Sequence, residues 1–176
     1  MDRAYDLIDA RDHVVIVGAG LAGLFCALKL APQPVTLISA TPLDHDASST
    51  WAQGGIAAAI AQGDGPEAHV ADMIAAGGGL VLPETAQALA REAGNRIDDL
   101  QALGVGFDRD ARGGLAVKRA AAHSAPRIVH VHGDMTGHAI MTALAQAARA
   151  TPSIRIVEAH AAEALLTADG AVSGRS

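Results

Sequence analysis

Six residues near the N-terminus have the spacing of a phosphate-binding turn: Gly18-Ala19-Gly20-Leu21-Ala22-Gly23, a G-x-G-x-x-G. Each glycine has its own reason in such a turn. Gly18 makes the tight bend, Gly20 lets backbone approach a pyrophosphate, and Gly23 permits close packing of helix on strand. The N–H groups and positive dipole end at the helix start then face the phosphates. The motif carries weight only between a strand and a helix, and both flanks have that character. His13-Val14-Val15-Ile16-Val17 is a β-branched run with the pattern of a buried parallel strand, while Leu21, Leu24, Phe25, Leu28 and Leu30 give the next segment an apolar helical face. The arrangement predicts a bound dinucleotide without choosing FAD over NAD.

The second strand of such a unit commonly ends on an acidic residue that binds ribose hydroxyls. Here Ser39-Ala40 stands in that place. A serine hydroxyl offers one ribose hydrogen bond, and it is equally a strand-end turn former. Further on, Ser48-Ser49-Thr50-Trp51-Ala52-Gln53-Gly54-Gly55-Ile56 holds the single tryptophan of the chain. Hydroxyls, a flat apolar wall and a glycine pair suit a planar ligand, but the same residues could start a helix with Trp51 filling a core gap. Two of His123, His130, His132 and His138 flank a strand pattern, and no Cys or carboxylate completes a ligand set, so no metal site is expected. Cys26 sits in the apolar helical pattern, where a small buried hydrophobe is the plainer alternative to a reactive thiol. Asp134-Met135-Thr136-Gly137 reads as a helix N-cap in preference to a catalytic element, with Thr136 as the acceptor for an orphan N–H.

The elements that must position these residues follow from periodicity. Pro32 and Pro34 end the first helix before a strand at residues 35–39, completing a β-α-β unit. Residues 41–53 have loop composition. Helices are expected at 55–61, 67–76 and 84–103, with Gly77-Gly78-Gly79 as a break and Gly104 past the last end. Val105 and Phe107, then a turn at 108–114, then Leu115 and Val117 form a hairpin pattern. Strands at 128–131, 154–157 and 164–167 and a helix at 136–150 complete an α/β protein with a parallel sheet. Asp169-Gly170 is a hairpin-turn dipeptide followed by a short returning strand, Ala171-Val172-Ser173. That brief arm suggests the N-terminal part of something longer.

Composition limits the function classes. Of 176 residues 50% are apolar, 18% charged and 2% aromatic, so the core must be built from Ala, Val, Leu and Ile. A net charge of -6 gives no footprint for nucleic acid or anionic lipid. One cysteine excludes a disulfide within the chain. The apolar run 14–28 is too short to span a bilayer comfortably, and the acidic lead-in lacks the positive region of a signal peptide. A cytoplasmic protein without membrane insertion is the expectation.

The stretches VVIVGAGLAGLFCALKL, SSTWAQGGIAA, AAHSAPRIVHVHGDMTGHAIM and PSIRIVEAHAAEALL together resemble the flavoproteins that include L-aspartate oxidase and the flavoprotein subunits of succinate dehydrogenase and fumarate reductase. The resemblance covers nearly the whole chain. It implies a Rossmann-like FAD-binding domain with inserted helices, of which residues 1–176 are the N-terminal part, truncated before a capping domain and a helical C-terminal region. It places Gly18, Ala19, Gly20, Leu21, Ala22, Gly23, Ser39, Ser48, Ser49, Thr50, Trp51, Ala52, Gln53, Gly54, Gly55 and Ala162 at the FAD, with Trp51 as a wall beside the ring. The respiratory members carry a histidine covalently bound to flavin where Ser48 stands, so non-covalent FAD is implied. The tryptophan and the His123-Ser124 pair resemble L-aspartate oxidase more closely. The implied reaction is dehydrogenation of L-aspartate to iminoaspartate, with hydride to flavin N5 and electrons to oxygen or fumarate, feeding NAD synthesis. That family commonly has a glutamate after the arginine of R-E-[AG]-[AG]-H-S. Ala120 occupies that position, between Arg119 and His123, which with the absent downstream half keeps an inactive FAD-binding segment as an alternative; a fumarate-reductase type is the other.

Overall fold

The computed structural model describes residues 14–43, 47–168 and 170–172. His13, the lead-in before it, Asp169 and Ser173 lie outside them, as does the middle of the 41–53 loop. In chain order the elements are β1 (Val14–Val17), α1 (Leu21–Leu30), β2 (Val35–Ile38), β3 (Ile56–Ala57), α2 (Pro66–Ala76), α3 (Pro83–Ala102), β4 (Val117–Lys118), β5 (Ile128–Val129), α4 (Thr136–Ala150), β6 (Ile154–Val157), β7 (Thr167–Ala168) and β8 (Ala171–Val172). They divide into two compact units, Met1–Ser48 with Leu144–Ser176, and Ser49–Ala143.

In the first unit β2 pairs in parallel with β1, from Val14 opposite Val35 to Val17 opposite Ile38, and with β6, from Val35 opposite Ile154. Strand side chains alternate between faces, so burial of all four β2 residues means that both faces are covered. Among the described residues β1 is an edge strand of this sheet. Val14, Val15 and Ile16 are half-buried and Val17 is exposed, which corrects the expectation of a buried strand. The helix α1 packs against β1 and β2, and its buried positions are Leu24 and Ala27. Cys26 is exposed, not a core residue: the buried face passes through positions three apart, and residue 26 points off it. The expected terminal hairpin is present as β7 and β8, Thr167 opposite Val172, with Gly170 at φ 78° in the turn. Its first arm begins at Thr167 and not at Ala164, because that register gives β-pairing to Thr167 and Ala168 alone.

In the second unit α2 and α3 pack on each other. Each begins on a proline, whose missing N–H costs nothing in a first turn. Ala86, Ala90, Ile97 and Leu100 form the buried stripe of α3. The helix closes with a Schellman motif: Gly104, at φ 99°, donates its N–H to the Gln101 carbonyl, and Val105 donates to Leu100, both at 3.0 Å. The antiparallel sheet runs β3-β5-β4. Residues 55–61, expected as a helix, instead supply β3, because Ile56 and Ala57 pair with Val129 and Ile128 and this ladder overrides an alanine-rich local preference. The expected 105–117 hairpin shrinks to one bridge, Arg109 to Leu115; Val117 and Lys118 pair with β5 instead. The strand expected at 128–131 ends at Val129.

Many enclosed positions are alanines: Ala27, Ala145 and Ala148 in the first unit, Ala58, Ala86 and Ala90 in the second. Among the described residues no helix is long and apolar enough to cross a membrane.

Candidate functional site

The phosphate turn of the first unit has the predicted form. Gly18 adopts φ 102°, a conformation that L side chains rarely take, and a Cβ there would meet nothing within 4 Å, so the turn faces open space. A Cβ on Gly23 would overlap the Gly18 carbonyl oxygen and lie 3.4 Å from Ile16 Cγ2, which gives this glycine its packing role. Gly20 is the N-cap of α1 and is extended; no side chain caps the helix, and the first intrahelical bond is Leu24 N–H to the Gly20 carbonyl at 3.0 Å. The backbone at Ala22 and Gly23 precedes that bond, and with the dipole it forms a seat for anionic oxygens. Ala19 is buried at the turn. Ser39 is buried at the end of β2, where its N–H donates to Val157 (2.8 Å) and its carbonyl accepts from His160 (3.0 Å). This bond brings the segment carrying Ala162, itself exposed, alongside the end of β2.

Residues 48–51 form a 3-10 turn. Trp51 is 73% exposed, which rejects the alternative that it fills a core gap. Ser48, Ala52, Gln53 and Gly54 are also exposed, and Ser49 is half-buried. The Thr50 hydroxyl is buried and finds no hydrogen-bond partner. Gly55 has φ 96°, and a Cβ on it would overlap the Val129 carbonyl and approach Ile128 Cγ2 at 2.7 Å. Its close approach is therefore to β5; at Gly54 a Cβ would meet nothing within 4 Å. An open glycine turn and an uncapped helix start are what an FAD pyrophosphate requires of a chain, so these residues of the first unit fit that part of the cofactor.

The second unit brings Arg119, Ala120 and His123 into one turn. The His123 N–H donates to the Ala120 carbonyl (3.0 Å), and Arg119 Nε donates to the His123 carbonyl (2.9 Å). Ala120 itself is exposed. Under this turn lies Arg127, fully buried, whose Nε and Nη2 donate to the two carboxylate oxygens of Asp64 at 2.7 Å each. Arg127 Nη1 donates to Asp72, and the same Asp72 oxygen accepts from Ser124 N–H (2.6 Å) and Ser124 Oγ (2.8 Å). His123 Nδ1 lies 3.4 Å from Arg127 Nη1; because a guanidinium only donates, Nδ1 is the accepting nitrogen in that contact. The His69 ring stands edge-on to His123 with centroids 5.4 Å apart, and its buried Nδ1 has no partner.

Charge follows geometry. The hydrogen bond from Arg127 holds the Asp64 carboxyl below the usual carboxylate range, against the opposing effect of burial. The Ser124 backbone N–H, then Arg127, lowers Asp72 strongly. Burial pushes His69 below its ordinary value, helped by the nearby positive Arg127. Asp108 is lowered chiefly by the His132 N–H.

This arginine hub escapes sequence reading, since its acids stand 63 and 55 residues away on other elements. The one hint was an arginine placed directly before the apolar strand of β5. The four histidines do not gather into one site: His130 Nε2 (3.3 Å) and the exposed His132 Nδ1 (4.0 Å) both face the Asp108 carboxylate, His123 belongs to the Arg127 turn, and His138 is exposed. Among the described residues no group of His, Cys, Asp and Glu could hold a metal ion. Thr136 is an acceptor, but its hydroxyl receives the upstream N–H of Val131 (3.1 Å) rather than an orphan donor of α4, so the expected N-cap is corrected to a clasp on the preceding turn.

A parallel β-α-β unit with an open glycine turn defines a dinucleotide-binding α/β protein. Residues 13–176 match the family model described as FAD binding domain, and the chain belongs to that family. It is 46% identical over 169 residues to the L-aspartate oxidase of Agrobacterium fabrum, covering 96% of this chain and 32% of that protein. To the L-aspartate oxidase of Caulobacter vibrioides it is 48% identical over 164 residues, covering 91% and 32%. The chain thus spans about a third of the length of these curated relatives. Among solved structures it superimposes on the Mycobacterium smegmatis Sdh1 complex with a TM-score of 0.82 at 28% identity, covering 90% of this chain and 29% of that one. A quinol-fumarate reductase with menaquinol molecules gives 0.83 at 27%, covering 91% and 28%.

Proposed function

We propose that the chain forms the FAD-holding part of a cytoplasmic L-aspartate oxidase, converting L-aspartate to iminoaspartate with oxygen or fumarate as the electron acceptor. The observation that carries this reading is identity of 46–48% to L-aspartate oxidases against 27–28% to the respiratory structures. When bound, FAD supplies a two-electron, hydride-accepting centre. The chain supplies the seat. Gly18 to Gly23 present backbone N–H groups to the pyrophosphate, Ser39 offers a ribose hydroxyl one partner, and residues 48–55 and Ala162 border the cofactor. Arg119 and His123 flank Ala120 on a turn that Asp72 and Arg127 hold in place. FAD is bound without a covalent link, because Ser48 has no imidazole to form one.

Two experiments test this. After acid precipitation of the FAD-loaded protein the yellow chromophore is expected in the supernatant; flavin retained in the pellet overturns non-covalent binding. In a chimaera, residues 14–168 replace the matching segment of the Agrobacterium fabrum oxidase. Turnover of L-aspartate is expected, and turnover of succinate without aspartate points to the respiratory type. In the same chimaera Ala120→Glu restores a carboxylate able to meet the substrate ammonium. It is expected to raise kcat/KM for L-aspartate by about one to two powers of ten, the worth of a charge-assisted hydrogen bond, with fumarate little affected.

A further inference from the structure

Gly137, in the first turn of α4, touches the backbone of the tryptophan turn. Its N–H donates to the Ala52 carbonyl at 2.8 Å. A Cβ at this position would overlap the Ser49 carbonyl oxygen and sit 2.6 Å from the Ala52 oxygen and 2.9 Å from the Ala52 nitrogen. All three neighbours are backbone, so no side-chain rotation could relieve the contact. The turn is closed on itself by Ala52 N–H donating to the Ser49 carbonyl at 3.3 Å. Two carbonyl oxygens thus lie at the positive end of a helix of 15 residues, a favourable arrangement of charge. The helix start is itself fixed: Thr136 is buried with its hydroxyl on Val131 N–H (3.1 Å), and Met135 N–H donates to the Val131 carbonyl (3.0 Å).

We infer that Gly137 is a positioning residue for the cofactor loop: its missing side chain lets α4 serve as the seat on which residues 49–52 rest. This rests on the reading that this loop borders the flavin. The Gly137 N–H is committed to Ala52 and is not a donor for a phosphate. Glycine weakens a helix relative to alanine, so helix propensity alone favours Gly137→Ala, and the seat opposes it.

Trp51 makes the test direct, since it is the single tryptophan of the chain and lies within the seated turn. The 176-residue chain, its Gly137→Ala variant and a Gly106→Ala control, where a Cβ meets nothing within 4 Å, are compared by Trp51 emission and acrylamide quenching without flavin, and then by FAD titration. The expected result is a changed Trp51 signal in Gly137→Ala, no change in the control, and FAD binding weakened about tenfold, the cost of losing roughly one hydrogen-bonded placement. An unchanged Trp51 signal in a folded Gly137→Ala overturns the seat. A changed Trp51 signal with unchanged FAD affinity, or a wild-type chain that binds no FAD, overturns the cofactor reading of the loop, while the Trp51 comparison still decides the seat. If Gly137→Ala does not fold, amide exchange of the wild-type chain decides: a protected Gly137 N–H supports the seat, and one exchanging at the rate of an open amide refutes it.

Discussion

Arg127→Met removes the guanidinium but keeps most of the volume of its stem, so the variant tests charge and not cavity formation. Arg127 has no exposed side-chain surface, and Asp64 only 3%. In the variant the Asp64 carboxylate stays enclosed without the two donors that now hold it at 2.7 Å. Removing one partner of a buried pair costs about 3–5 kcal/mol, because the remaining charge is uncompensated. At about 2–4 °C per kcal/mol for a chain of this size, the melting temperature should fall by roughly 6–20 °C, followed by far-UV circular dichroism. Asp72 is less affected, since both Ser124 donors still serve it. Adding Asp64→Asn should then recover part of the loss, because no ion is left stranded. A single variant melting within about 2 °C of wild type, or a double variant less stable than the single one, would refute the argument that Arg127 compensates a buried carboxylate.

Acid should weaken the fold in two stages, both signs following from lowered folded-state pKa values. His69 lies below its ordinary 6.5, so the unfolded chain takes up the proton first and stability declines as pH falls below 6.5; His69→Gln should remove this limb from a plot of urea midpoint against pH. Asp64 and Asp72 lie below their ordinary 3.8, so their contribution is complete above that pH and is lost on further acidification; a midpoint unchanged down to pH 3 in wild type would contradict both assignments. Gly23→Ala forces a Cβ onto the Gly18 carbonyl and should cost about 1–3 kcal/mol while weakening FAD binding by at least about tenfold, read by flavin titration.

The first unit was legible because its signals are local. The glycine spacing, the β-branched run of β1 and the breaks at Pro32 and Pro34 each act within a few residues of where they are written, and the β6 boundaries follow from periodicity alone. The second unit was less so. Ile56-Ala57-Ala58-Ala59 has the composition of a helix, and only the pairing with Ile128 and Val129, some seventy residues on, makes β3 of its first two residues. Val117 had two partners on offer and took β5, because a strand forms where a ladder exists. The Arg127 hub is wholly non-local. The placement of Cys26 was hidden because Leu24, Phe25, Ala27 and Leu28 around it are all apolar, which masks where the buried stripe of α1 runs.

The alanines enclosed in both units give the chain a one-sided tolerance to mutation. A core of large aliphatic side chains suffers mainly when atoms are removed; around Ala27, Ala58 and Ala148, which have no exposed surface, there is little to remove. Drift from Ala to Gly or Ser takes away or adds one small group, whereas Ala to Val or Leu inserts methyl groups into filled space at about 1–3 kcal/mol each. Substitutions that preserve hydrophobicity are therefore the harmful ones at these sites, the reverse of the usual rule. A library screened for folded variants should return small polar residues at these positions more often than large apolar ones.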